Sequence, residues 1–164
     1  MISRWNGKHW TNVSGPKSDL LYAMSVSPTD DVWAGGAMPV SDGEDEAYAD
    51  HWSGHKWIGM VLPYNAVGGA LPDELFGIAA ISSTDALAVG NGGYAAKWDG
   101  KQWSVVDIPR GANPIAAVSA TDVWAAGDAI EHWNGASWRA APFTLPANWH
   151  PAFASVSAVG PNDV

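Results

Sequence analysis

Carboxylates, imidazoles and aromatic rings are the groups through which this chain could act. Asp73 with Glu74 or Asp107 could pair as the acid and base of a glycan-cleaving centre, which needs two carboxyl groups flanking one scissile bond. His51 and His55 have an i, i+4 spacing that would suit a metal on a helix, but a turn-forming Ser53-Gly54 separates them. The acidic run Asp42-Gly43-Glu44-Asp45-Glu46 lacks the alternating ligand spacing of a calcium loop and reads as a solvated insertion. No Ser-His-Asp order and no phosphate-cradling glycine loop stands out, and zero Cys removes thiolate nucleophiles and thiolate metal sites. Neither a cofactor nor a metal is expected. A second group of residues has the chemistry of recognition: Tyr48, Tyr64, Asn65, Tyr94, Asn113, Asn148, Trp149 and His150 offer aromatic faces and amide or imidazole hydrogen bonds. Trp149 is the one Trp outside the repeated motifs described next, and an indole brings large contact area at low entropic cost.

These side chains must be positioned by a repeat. Trp-x-Gly-x-x-Trp occurs four times, at Trp5 to Trp10, Trp52 to Trp57, Trp98 to Trp103 and Trp133 to Trp138. A second motif alternates with it: Ser27-Pro28-Thr29-Asp30-Asp31-Val32-Trp33-Ala34-Gly35, Ser82-Ser83-Thr84-Asp85-Ala86-Leu87-Ala88-Val89-Gly90 and Ser119-Ala120-Thr121-Asp122-Val123-Trp124-Ala125-Ala126-Gly127. A further copy starts at Ser157 and reaches Asp163-Val164. The first Trp steps by 47 (5 to 52), 46 (52 to 98) and 35 residues (98 to 133), close to the length of a four-stranded propeller blade.

Each unit predicts four short strands, a to d; in the copy with the shortest connections they run from 115 to 119, 123 to 127, 129 to 133 and 138 to 143. Ser-x-Thr-Asp supplies side-chain oxygens for a tight a-to-b turn. Asn-Gly, Asp-Gly or Ser-Gly supplies the c-to-d hairpin. Because side chains alternate across a strand, both Trp of a motif fall on one face of the sheet, where they are expected to pack between blades. The Ala and Gly of strand b allow close face-to-face packing. The expected fold is therefore all-β, a β-propeller region over residues 1 to 164. It has a partial blade at 2 to 14, full blades at 20 to 62, 76 to 109 and 115 to 143, and a partial blade at 153 to 164. The ends together would make one more blade lacking most of its strand b, so the expectation is part of a larger propeller. A four-bladed ring and a two-chain ring are the alternatives, and open blade edges would favour self-association.

In a four-stranded meander the repeated turns emerge on one side and the variable connections on the other. Scaffold-borne variable loops are where ligands usually bind. A net charge of -9 repels phosphate backbones, and the Lys and Arg form no cluster, so nucleic acid is not an expected partner. No apolar run approaches the roughly 20 residues of a spanning helix. Met1 to Trp5 enters a repeat motif directly, so no signal peptide is expected within the given sequence.

Asp-Val-Trp-Ala-x-Gly, an apolar strand and His-Trp-Asn-Gly-x-x-Trp together resemble the repeat of bacterial secreted and surface β-propellers, and are similar to tectonin-type repeats, which include lectins. The Gly-x-x-Trp ending also resembles the Asp-box turn of sialidase-type propellers, although Asp99 directly precedes its Gly and the other copies carry Asn or Ser. Sialidase-like chemistry needs several Arg converging on a carboxylate. Arg4 and Arg139 sit beside motif Trp residues, which leaves Arg110 alone. The resemblance implies an extracellular or envelope location and a non-catalytic propeller binding glycan or protein through its variable-loop face. A propeller enzyme and a ligand-free scaffold are the competing readings.

Overall fold

Alternating small and bulky side chains, broken by Gly-containing turns every few residues, leave the chain little choice but short antiparallel strands. A computed structural model describes residues 2–13, 15, 20–40, 43, 45–63, 73–108, 111–144, 152–160 and 163. Among them run β1 (Ile2–Trp5), β2 (Trp10–Val13), β3 (Leu20–Val26), β4 (Val32–Pro39), β5 (Asp45–Trp52), β6 (Trp57–Val61), β7 (Leu75–Ser82), β8 (Asp85–Gly90), β9 (Tyr94–Trp98), β10 (Trp103–Val105), β11 (Ala112–Ser119), β12 (Asp122–Gly127), β13 (Ile130–Trp133) and β14 (Trp138–Ala140). They form one two-stranded sheet, β1-β2, and three four-stranded meanders, β3 to β6, β7 to β10 and β11 to β14. A single 3-10 turn at Asn91–Gly93 is the one helical element among the described residues, and no helix there is long and apolar enough to cross a membrane. The fold is that of β-propeller blades.

Both turn families are set by their side chains. In the c-to-d hairpins Asn6, Asp99 and Asn134 each accept two backbone N–H bonds through Oδ1, from the residues two and three positions on, at 2.8 to 3.0 Å. The following Gly takes the positive φ, for example +94° at Gly100 and +96° at Gly135. In the a-to-b turns Ser27, Ser82 and Ser119 accept the N–H of the Thr two residues later. The hairpins leave the two Trp of every motif directly opposite one another, with ring centroids 5.5 to 5.8 Å apart.

Stacking follows a rule that repeats from sheet to sheet. In the middle sheet Ala86, Ala88, Trp98 and Trp103 face the first meander, while Leu87, Val89 and Ala95 face the third, so this sheet is buried on both sides. The strand b residue of one sheet lies against the Trp pair of the next. Trp33 meets Trp98 and Trp103 edge-on at 5.2 and 5.1 Å, and Leu87 shares a core with Trp133 and Trp138. Backbones approach closely along the inner strands: a Cβ on Gly77 would lie 2.3 Å from the carbonyl oxygen of Asn113.

Two expectations need correction. Trp33, Trp98, Trp103, Trp133 and Trp138 are buried between sheets, but Trp5 and Trp10 are 48% and 66% exposed, because their sheet has only two strands. Trp52, Trp57 and Trp124 are half-buried. The strand expected from residue 153 does not join a ladder. Phe153 N–H donates to Gly127 O at 3.0 Å, and Gly160 bridges Asp163 in the register that Ser119 and Asp122 have in the third meander.

Candidate functional site: the inner row of the loop face

The repeated turns gather at one end of the sheets. A Cβ on Gly135 would meet Thr121 Cγ2 at 2.7 Å, and one on Gly100 would meet Thr84 Cγ2 at 2.9 Å, so in the second and third meanders the c-to-d turn rests on the a-to-b turn, whereas a Cβ on Gly54 in the first would meet nothing within 4 Å. At the opposite end lie the b-to-c turns and the described parts of the d-to-a connections. There Asn91 N–H donates to Glu74 O at 3.3 Å, and Asp73 N–H donates to Asn91 Oδ1 at 3.2 Å.

At that end each inner strand carries a register break. Pairing slips between Leu21 and Ala23, between Leu75 and Gly77, and between Ala112 and Ile115. Tyr22, Phe76 and Asn113 with Pro114 are the residues left out. An unpaired residue in a bulge is freed from the ladder's alternation, so its side chain is re-aimed. The inner strands run side by side, with Ser25 Oγ accepting the Ala80 N–H at 3.0 Å across two sheets. The bulges therefore form a row. Tyr22, 44% exposed, tilts against Phe76 at 5.4 Å and donates its hydroxyl to Glu74 Oε1 at 2.8 Å. That hydrogen bond, with lesser help from desolvation and the negative charges of Glu74 and Asp45, raises the Tyr22 pKa and keeps the phenol a donor. Asn113 is exposed at the far end of the row.

The sequence candidates fall into three groups. Asn113 stands in the row. Tyr48 and Tyr94 are buried, at 6% and 5% exposure, which takes both rings out of contact range for a ligand. Tyr48 fills the space over Gly59, where a Cβ would come within 2.1 Å of its hydroxyl, and Tyr94 donates to Pro63 O at 2.9 Å. Burial raises both phenol pKa values. Tyr64, Asn65, Asn148, Trp149 and His150 lie outside the described residues. Of the carboxylates considered for hydrolysis, Glu74 accepts from the Tyr22 hydroxyl and Asp73 Oδ2 accepts from Asn91 Nδ2 at 3.4 Å, while Asp107 is exposed on the loop after β10. His51 and His132 each contact the Asp that opens strand b, Asp31 and Asp122, at 2.9 Å, and Lys97 pairs with Asp85 in the same way. The His51 ring also stacks on Trp33 and the His132 ring tilts against Trp124, both with centroids 4.4 Å apart. His55 is exposed in the hairpin turn, apart from His51.

Sequence reasoning missed Tyr22 and Phe76. A signal was present: Tyr22, Phe76 and Asn113 each stand nine residues ahead of the Asp that opens strand b, Asp31, Asp85 and Asp122.

Stacked four-stranded meanders joined by tight turns define a propeller, and comparison with one solved structure agrees at the level of fold. YCF48 bound to a D1 peptide is a structural neighbour with a TM-score of 0.53 and 17% identity, covering 82% of this chain and 44% of its own. HIRA(644-1017) aligns with a TM-score of 0.45 and 12% identity, covering 74% of this chain and 40% of its own. The chain thus spans less than half the length of either neighbour. No family model matches it, and no curated protein does. The likeness to tectonin-type repeats accordingly has no family-level support.

Proposed function

We propose that the chain is a non-catalytic binding propeller that takes an extended protein segment across its loop face, displayed outside the cell or on its envelope. The observation that carries this is the row of three inner-strand bulges at Tyr22, Phe76 and Asn113, at the end of the sheets where Glu74 and Asn91 meet. Aromatic faces would hold apolar or proline-type side chains, Asn113 would pair with a peptide group, and Glu74 would favour a basic residue alongside. A peptide suits the row better than a sugar because the donors and acceptors are strung along three strands rather than converging on one ring. The peptide-bound state of YCF48 is in keeping with this choice. Tyr64, Asn65, Asn148, Trp149 and His150 remain candidate contacts from the adjoining loops.

Parallel screening of the protein on peptide and glycan arrays tests the proposal, with hydrolase assays on any glycan retained. Selected peptides should lose about tenfold or more in affinity on Tyr22→Ala or Phe76→Ala, as for aromatic anchors elsewhere. Lys101→Ala in a hairpin turn at the other end should change nothing. Selection of glycans alone, or binding that survives both aromatic truncations, contradicts it.

A further inference from the structure

Charge is divided between the two ends of the sheets. Of the 8 Lys and Arg in the sequence, Lys17 and Arg110 lie outside the described residues. The others, Arg4, Lys8, Lys56, Lys97, Lys101 and Arg139, all stand in a c-to-d hairpin turn or next to a motif Trp, at the tight-turn end. Carboxylates at that end are matched by cations or imidazoles, as Asp31 by His51, Asp85 by Lys97 and Asp122 by His132. The end that carries the inner row has Asp45 at the start of β5, Asp73 and Glu74 just ahead of β7, and Asp128 in the turn between β12 and β13. Among the described residues no Lys or Arg accompanies them, and such a one-signed field draws in a cationic partner.

One point in the row is shaped for a particular cation. Tyr22 is 44% exposed and Phe76 half-buried, and their rings meet with centroids 5.4 Å apart and planes at 44°, which makes a continuous aromatic surface. The Tyr22 hydroxyl donates to Glu74 Oε1 at 2.8 Å and so fixes the carboxylate at the edge of that surface. Glu74 Oε2 has no hydrogen-bond donor and no ion-pair partner among the described residues. Asp45 is near enough for its charge to bear on the same hydroxyl. A guanidinium is planar and weakly hydrated, so it can lie flat on a ring while its N–H groups donate in plane to a carboxylate. An ammonium is compact and strongly hydrated, and it loses one of these contacts to make the other.

We propose that Tyr22, Phe76 and Glu74 form a receptor for one arginine of the bound segment, its guanidinium stacked on the aromatic pair and donating to Glu74 Oε2. This deepens the peptide reading of the row and rests on it. Asn113, at the far end of the row, would meet an uncharged stretch of the segment. The arginine thereby sets the register and decides which end of the segment lies over the first meander.

The probe is an array of random dodecapeptides read with the whole protein, followed by fluorescence anisotropy on the peptides retained. Those peptides should share an arginine. Replacing it by lysine should weaken binding about fivefold or more, and replacing it by citrulline, which keeps the shape and loses the charge, about tenfold or more. Glu74→Gln should weaken the arginine peptide about tenfold and the citrulline peptide far less. Glu74→Lys should turn the preference toward the same peptide with glutamate in place of arginine, a gain that misfolding cannot produce. Asp30→Asn removes the same unit of charge from an exposed position at the tight-turn end and should change nothing. Peptides that depend on Tyr22 and Phe76 but bind equally well with lysine or citrulline, or an equal loss from Asp30→Asn, overturn the arginine receptor and leave the peptide reading standing. An array that retains no peptide overturns both.

Discussion

Trp98 and Trp133 each do two things at once: the indole ring fills the space between sheets, and its N–H satisfies a carbonyl in the neighbouring turn of the same sheet. Truncating either to Ala should cost about 3 to 5 kcal/mol in urea denaturation. Trp10→Ala should cost far less, because that ring is 66% exposed; equal losses would mean the stacking rule is wrong. Asp99 gives a test by pH. Backbone N–H bonds from Gln102 and Lys101 hold its pKa below the usual carboxylate value, so its contribution to stability is complete above that value and is lost as pH falls through the lowered one. Asp99→Asn should preserve the turn, as Asn134 does in the next hairpin, and remove this part of the stability loss below about pH 4. At this scale the sequence showed which residues recur but not where their partners lie. Asp31 and His51 are twenty residues apart, and Tyr48 is buried only because Gly59 across the sheet leaves it room.

Among the elements, the hairpins and the alternation of the strands were legible because each is specified by a few neighbouring residues. Gly135 illustrates how tightly they fit. Its φ of +96° and the 2.7 Å approach of Thr121 Cγ2 both oppose a Cβ. Gly135→Ala should cost about 1 to 2 kcal/mol from backbone strain, plus a crowding penalty that Thr121→Ser relieves. A double-mutant cycle showing no coupling would contradict the contact between the turns. The bulges in β3, β7 and β11 were not legible from alternation, since a bulge is an interruption of the period used to find a strand. Their common position relative to Asp31, Asp85 and Asp122 becomes meaningful only once the inner strands are known to lie side by side.

For the molecule as a whole, the repeat spacing was enough to give stacked meanders. Ligand chemistry was not legible, because the scaffold repeats while the site is made where it departs from repetition, and several of the sequence candidates lie outside the described residues. Hydrogen exchange measured with and without a selected peptide tests the central claim, recognition along the inner row, most directly. The account predicts added protection at the amides around Tyr22, Phe76 and Asn113 and none at the hairpin turns containing Gly100 and Gly135. Protection confined to those turns would contradict it.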